Sequence, residues 1–169
     1  DPLHLYNLSV TASVSVDGNV PSDERLHVGV EFKTLDWRFR YWHNNADFYD
    51  LFGPTKRSRK GDAASIGYRK LIVYDEPRRF EWSANLAYYT GLDTLPANQN
   101  VSSALDSLVS AEIGLDYSNT RKSQASVDHE KGFDWSLYAS ADHANGETYP
   151  KLTGTFDFGF ALPWANSSI

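Results

Sequence analysis

The chain has 169 residues, of which 41% are apolar and 14% aromatic, and its formal net charge is −6. That length suits one domain with a sizeable interior, and the acidic balance argues against a nucleic-acid surface or a phosphate-binding stripe. Cysteine is absent, which excludes a disulfide framework and thiolate metal sites. No run approaches the roughly 18 apolar residues of a membrane helix, and no charged-then-apolar leader opens the chain. A membrane could therefore be crossed only by strands. Methionine is also absent, so the chain is expected to be an excised or processed piece of something longer.

Taken in order, eight segments alternate apolar and polar residues: 4–15, 25–35, 36–43, 63–74, 79–90, 108–119, 132–143 and 151–162. The second is the plainest, with Leu26, Val28, Val30 and Phe32 on one face and His27, Gly29, Glu31 and Lys33 on the other. Strict alternation means a β-strand with one apolar and one polar face. No helical periodicity of useful length is present. The fold expected is an all-β, antiparallel up-and-down sheet forming a single domain.

The connections alternate in length. "DGNVPSDE", "NNADFYDLFGPTKRSRKGD", "GLDTLPANQNVSSALDS" and "ANGETYP" read as long loops. A tight turn at Leu35–Asp36 and the "DEPR" turn at Asp75–Arg78 read as short, and "SNTRKSQASVDHEK" as intermediate. Long external loops and short periplasmic turns are the habit of an up-and-down transmembrane barrel. With the short turns periplasmic, each strand carries an aromatic at that end of its apolar face: Tyr6, Phe32, Trp37, Tyr68, Phe80, Tyr117, Phe133 and Phe160. Such a row is the arrangement of an interfacial aromatic girdle. No carboxylate, amine or guanidinium falls on the apolar face between these ends.

The opposite face carries His27, Glu31, Lys33, Arg38, Arg40, Arg69, Glu81, Glu112, Asp116, Asp134, Asp142 and Asp157. Mixed charges of both signs suit a hydrated lumen with internal ion pairs, so these are the lumen-facing candidates. The outer face of a soluble sandwich would also be charged. Together, loop alternation and girdle favour a bacterial outer-membrane β-barrel over a soluble β-domain, with about eight strands in this chain and a larger barrel beyond it.

Little in the chain resembles catalytic machinery. The histidines His4, His27, His43, His129 and His143 are scattered without metal-ligand spacing, and Val127–Glu130 with His143 reads as a solvated turn. No G-x-S-x-G elbow is present, so neither an enzyme nor a cofactor is expected. "GPTKRSRKG" (Gly53–Gly61) lacks phosphate-loop spacing. It reads as a basic external loop whose Lys56, Arg57, Arg59 and Lys60 could meet anionic lipopolysaccharide at the outer-membrane surface. The neighbouring Phe48–Gly53 is apolar enough to pack inward, as a partial plug. Sequons at Asn7, Asn100 and Asn166 read as coincidental.

"GLDYSNTRKSQASVDHEKGFDWSLYASAD" (Gly114–Asp142) followed by "YPKLTGTFDFGFALP" (Tyr149–Pro163) resembles the membrane barrel of the Omp85, or bacterial surface antigen, superfamily. Tyr117, Thr120 and Arg121 stand where those barrels end a strand in a Tyr-x-x-Thr-Arg-like turn. Gly132 opens the next strand, Tyr149 and Lys151 start the one after, and Leu162–Pro163 close it. "NADFYDLFGPTKRSRKG" and "AYYTGLDTLPANQNV" look like surface-antigen barrels that follow a TolB-like β-propeller. The family's Val/Ile-Arg-Gly-Phe/Tyr loop motif and C-terminal aromatic are not found, which fits a fragment. The resemblance implies insertion or translocation of polypeptides at the outer membrane, with remaining barrel strands or other proteins as partners. Two alternatives stand beside it: a passive pore or structural outer-membrane protein, and a soluble lipid-binding barrel of lipocalin type.

Overall fold

A computed structural model describes residues 6–16, 18, 21–44, 59–94, 105–121 and 131–160. Eight strands follow one another: β1 (Tyr6–Val14), β2 (Leu26–Thr34), β3 (Trp37–His43), β4 (Arg59–Asp75), β5 (Arg78–Thr94), β6 (Leu108–Arg121), β7 (Lys131–Ala144) and β8 (Glu147–Gly159). A single 3₁₀ turn, Ser22–Glu24, is the only helical element among the described residues. The sheet order is the sequence order, β1 to β8, so the expected all-β up-and-down architecture is present. β1 and β8 are its end strands and are not paired with each other among the described residues.

Contacts divide the described residues into two compact units. The first takes β1 to β3, β4 through Tyr68, β5 from Asn85, β6 through Ala111, and the β7–β8 turn from Asp142 to Tyr149. The second takes β4 from Arg69, β5 through Ala84, β6 from Glu112, β7 through Ala141, and β8 from Pro150. In the first unit the antiparallel registers pair Val10 with Val30, Val30 with Tyr41, and Tyr41 with Ala64. These pairs keep the apolar residues of four strands on one face.

Three expectations need correcting at their edges. β4 and β5 run longer than 63–74 and 79–90, and β8 begins at Glu147 instead of 151. "ANGETYP" is therefore not a long loop. It contains a two-residue turn, Asn145–Gly146, with φ of 52° and 79°. Asn-Gly adopts the left-handed conformation that a tight hairpin needs, because its twist matches the flanking strands. The alternation of loop lengths accordingly stops before the last hairpin. The turns at Leu35–Asp36 and Glu76–Pro77 lie where expected, the latter with a cis peptide bond.

Neither face of the sheet is covered among the described residues. The only buried hydrophobic residues described are Ala87 and Ala144, whereas Glu24, His27 and Asn44 are buried. Many large apolar side chains are exposed, Leu152 by 71% and Phe158 by 67%, and every residue of β1 is exposed. A folded chain that leaves a continuous apolar face uncovered has that face matched to lipid or to another apolar surface. Four strands each carry five successive apolar-face positions, 6–14 on β1, 80–88 on β5, 109–117 on β6 and 133–141 on β7, and the run 152–160 takes in β8 and the residue after it. Such a stretch spans roughly 27 Å at ~3.4 Å per residue.

Candidate functional site

The candidate site is the polar face. In the first unit, Glu31 lies opposite Arg40 and Lys33 opposite Arg38. Glu31 accepts a hydrogen bond from Arg40 Nε at 2.9 Å, with Lys33 Nζ at 2.5 Å and Arg38 Nε at 3.6 Å. The Arg40 guanidinium also stands 5.6 Å above the Trp42 ring, a cation–π contact. Trp42 has room because its cross-strand neighbour is Gly29, where an added Cβ would meet Thr11 Oγ1 at 2.7 Å and Trp42 Cδ1 at 3.3 Å.

The second unit repeats both devices. Glu81 sits between Arg79 Nη2 at 3.0 Å and Arg69 Nε at 3.4 Å. Tyr138 lies over Gly114 and places its hydroxyl 2.7 Å from both carboxylate oxygens of Asp116. Ser118 donates to Asp134 at 3.0 Å, and the Ser136 and Thr155 hydroxyls are 2.6 Å apart. A cleft of about 410 Å³ is lined by the polar-face residues Arg79, Glu81, Asp116, Ser118, Asp134, Ser136 and Thr155 together with Tyr117 and Trp135. A Cβ on Gly114 would stand 2.4 Å from Tyr138 Cε1 and 2.8 Å from Ser83 Oγ. Gly114→Ala must therefore push the ring away from Asp116. A loss of about 1–3 kcal/mol is expected, measured as a lower urea midpoint.

Of the predicted polar-face residues, the structure gathers Glu31, Lys33, Arg38 and Arg40 into one network and Arg69 and Glu81 into another. Asp116 joins Tyr138 and Asp134 joins Ser118. Glu112, Asp142 and Asp157 are exposed and stand outside both ion-pair networks. Glycine is required at Gly132, with φ of +118°, because a Cβ there would fall 1.9 Å from the Asn119 carbonyl.

The aromatic row forms contacts within each unit. Trp37 meets Tyr68 at 4.7 Å and Phe39 at 6.1 Å, and Phe39 meets Phe32 at 6.2 Å. In the second unit, Tyr117 lies 6.4 Å from Phe80 and 5.4 Å from Phe133, which stacks on Phe156 at 6.2 Å. Phe158 and Phe160 continue the row, while Tyr6 is exposed on β1. Phe39, Trp135, Phe156 and Phe158, which alternation places on the apolar face outside the girdle, join the row. Asp62 was not anticipated: it pairs with His43 on the apolar face, beyond Ala64. It accepts a hydrogen bond from Tyr41 Oη at 2.6 Å and lies 3.0 Å from His43 Nδ1.

At the same end of the first unit, Asn44 is 1% exposed and ties four stretches of chain together. Its Nδ2 donates to the carbonyls of Asp23 at 2.7 Å and Leu26 at 3.2 Å. Its Oδ1 accepts the Gly61 N–H at 2.9 Å, and its carbonyl accepts from His27 Nδ1 at 2.6 Å. Lys60 forms ion pairs with Asp23 and, at 3.6 Å, with Glu24, so two carboxylates already engage that candidate lipopolysaccharide contact. Lys56, Arg57, the Arg59 side chain, Phe48–Gly53, His4, His129, Asn100 and Asn166 lie outside the described residues.

The hydrogen bond from Lys60, helped by a backbone N–H, holds the Asp23 carboxyl below its usual value. Because the folded value is the lowered one, this tie contributes fully above the ordinary carboxylate range and is lost as pH falls through the lowered value. A carboxyl NMR titration should give Asp23 a midpoint below 3.8, and Lys60→Gln should move it upward, the backbone N–H still holding part of the shift.

Comparison with known proteins adds no relative: no family model, curated protein or solved structure matches the chain.

Proposed function

We propose that this chain is a stretch of bacterial outer-membrane β-barrel of the Omp85 or surface-antigen type, serving in the insertion or translocation of polypeptides. The observation that carries the membrane reading is the exposed aromatic-rich apolar face, set against an opposite face whose carboxylates and cations form ion pairs. A lipocalin-like barrel would turn that apolar face inward. In lipid, an unpaired strand edge is not tolerated, because no water is present to satisfy its N–H and C=O groups. In lipid β1 and β8 must therefore be paired, with each other or with strands of a larger barrel. The activity itself rests on the motif resemblance, and it would work through a hydrated polar face and strand edges, without catalytic side chains.

The passive-pore reading is favoured by one observation, the mixed-sign networks about Glu31 and Glu81, which a water-filled lumen accommodates. Heat-modifiable gel migration of the chain refolded in detergent or lipid vesicles tests the membrane reading. A folded, faster-migrating form that needs detergent or lipid supports it, and a chain that stays monomeric in plain buffer contradicts it. Planar-bilayer conductance then separates the two functions: steady channels favour the pore, and a silent barrel sinks it.

A further inference from the structure

The sheet register concentrates positive charge on one block of the β2–β3 hairpin. Glu31 faces Arg40 and Lys33 faces Arg38 across the two strands, and the four positions share the polar face. All three cations approach the single carboxylate, at 2.5, 2.9 and 3.6 Å. Three positive charges less one negative leave +2. Neither flanking strand corrects this. On β1, Asn7 lies opposite Lys33 and Ser9 opposite Glu31; on β4, Gly67 lies opposite Arg38 and Ser65 opposite Arg40. All four are uncharged, and Gly67 presents no side chain beside Arg38. The hairpin's other carboxylate, Asp36, lies in the turn, outside these four facing positions, and is itself engaged.

Like charges directly opposite on a sheet repel, and the one Glu31 carboxylate, shared among three cations, offsets the Lys33–Arg38 repulsion only in part. An anion lodged between the two removes that repulsion. Lys33 and Arg38 remain reachable, with side chains 40% and 48% exposed. Arg40 is held in place by Glu31 and the Trp42 ring. We infer that this block is a binding site for a phosphate-type oxyanion, gripped by the Arg38 guanidinium and the Lys33 ammonium. A guanidinium offers paired N–H donors that match phosphate oxygens, and the ammonium adds a compact charge. The inference rests on the register of β1 to β4 and holds whatever covers the apolar face.

The oxyanion could be free or carried on a lipid headgroup, and two arms distinguish these. The folded full chain in an uncharged detergent at low ionic strength is titrated with inorganic phosphate by calorimetry. The same protein in micelles containing phosphatidylglycerol is read by native mass spectrometry. One phosphate per chain assigns the site to a free anion, and retained phosphatidylglycerol without phosphate binding assigns it to a headgroup. In either arm, the double variant Lys33→Ala/Arg38→Ala should bind at least about tenfold more weakly. Ser65→Asp keeps every cation but gives Arg40 a second carboxylate, and should also weaken binding about tenfold. It decides the matter if the double variant loses the parent's near-ultraviolet circular dichroism. Arg78→Ala, in the β4–β5 turn, should bind as the parent does. Binding in neither arm, or binding that both variants leave unchanged, overturns the inference.

Discussion

Replacing Asn44 with alanine is expected to destabilise the folded chain by about 3 kcal/mol. Two carbonyls, those of Asp23 and Leu26, lose their donor, and the Gly61 N–H loses its acceptor. A buried polar group left unsatisfied costs about 1–3 kcal/mol, and part of that is recovered where water can enter. The backbone adds to the loss. Asn44 has a φ of 47°, a left-handed conformation that asparagine tolerates and that costs alanine roughly 1–2 kcal/mol. Asn44→Gly separates the two contributions, since glycine adopts that φ freely. It should recover about 1 kcal/mol of the alanine loss and no more. Urea unfolding in detergent, followed by tryptophan fluorescence, reads both variants. A change below about 0.5 kcal/mol for Asn44→Ala, the level of an ordinary surface substitution, would mean that Asn44 does not hold this end of the sheet together.

The second large effect belongs to the apolar face. Ile113, in the middle of β6, is exposed on that face, while its neighbour Glu112 is exposed on the polar face. In a bilayer, Ile113→Arg should cost about 2–4 kcal/mol, because the guanidinium must sit in hydrocarbon or drag water towards itself. Glu112→Arg changes more charge one residue away, yet should stay within about 0.5 kcal/mol. Refolding both variants in lipid vesicles with urea titration gives the comparison. The contrast between adjacent positions matters more than either value, since it isolates the solvent that each face meets.

The period-2 alternation makes most of the strands legible in the sequence itself. β6 was expected over 108–119 and runs Leu108–Arg121; β7 was expected over 132–143 and runs Lys131–Ala144. What misled was the sorting of connections by polar composition. Asn145, Glu147 and Thr148 read as a solvated loop, but the chain turns on two residues there, and His143 Nδ1 meets Thr148 Oγ1 at 2.8 Å. The Asn-Gly pair was the signal that outranked composition.

The polar face was legible as a set of charges and not as networks. Alternation assigns Glu31 and Arg40 to one face, but only the register shows that they lie opposite each other. Trp42 and Tyr138 were missed because aromatic residues were sought on the apolar face. Each is instead accommodated by a glycine on the polar face, Gly29 or Gly114. A glycine within an alternating strand marks a close approach, and that was the available clue. Asn44 carried no comparable signal. Its role comes from three other stretches of chain converging on it, which no local pattern encodes.

The central claim is that lipid meets the apolar face, and the absence of native cysteine permits a direct measurement. Single cysteines from Val109 to Tyr117 on β6, omitting Gly114, can each carry a nitroxide label in lipid vesicles. Collision rates with oxygen, which concentrates in hydrocarbon, and with a water-soluble nickel chelate are then compared along the strand. The account predicts that positions 109, 111, 113, 115 and 117 favour oxygen, while 110, 112 and 116 do not. Odd positions shielded from both reagents, as in a protein core, or open to the nickel chelate, would contradict it.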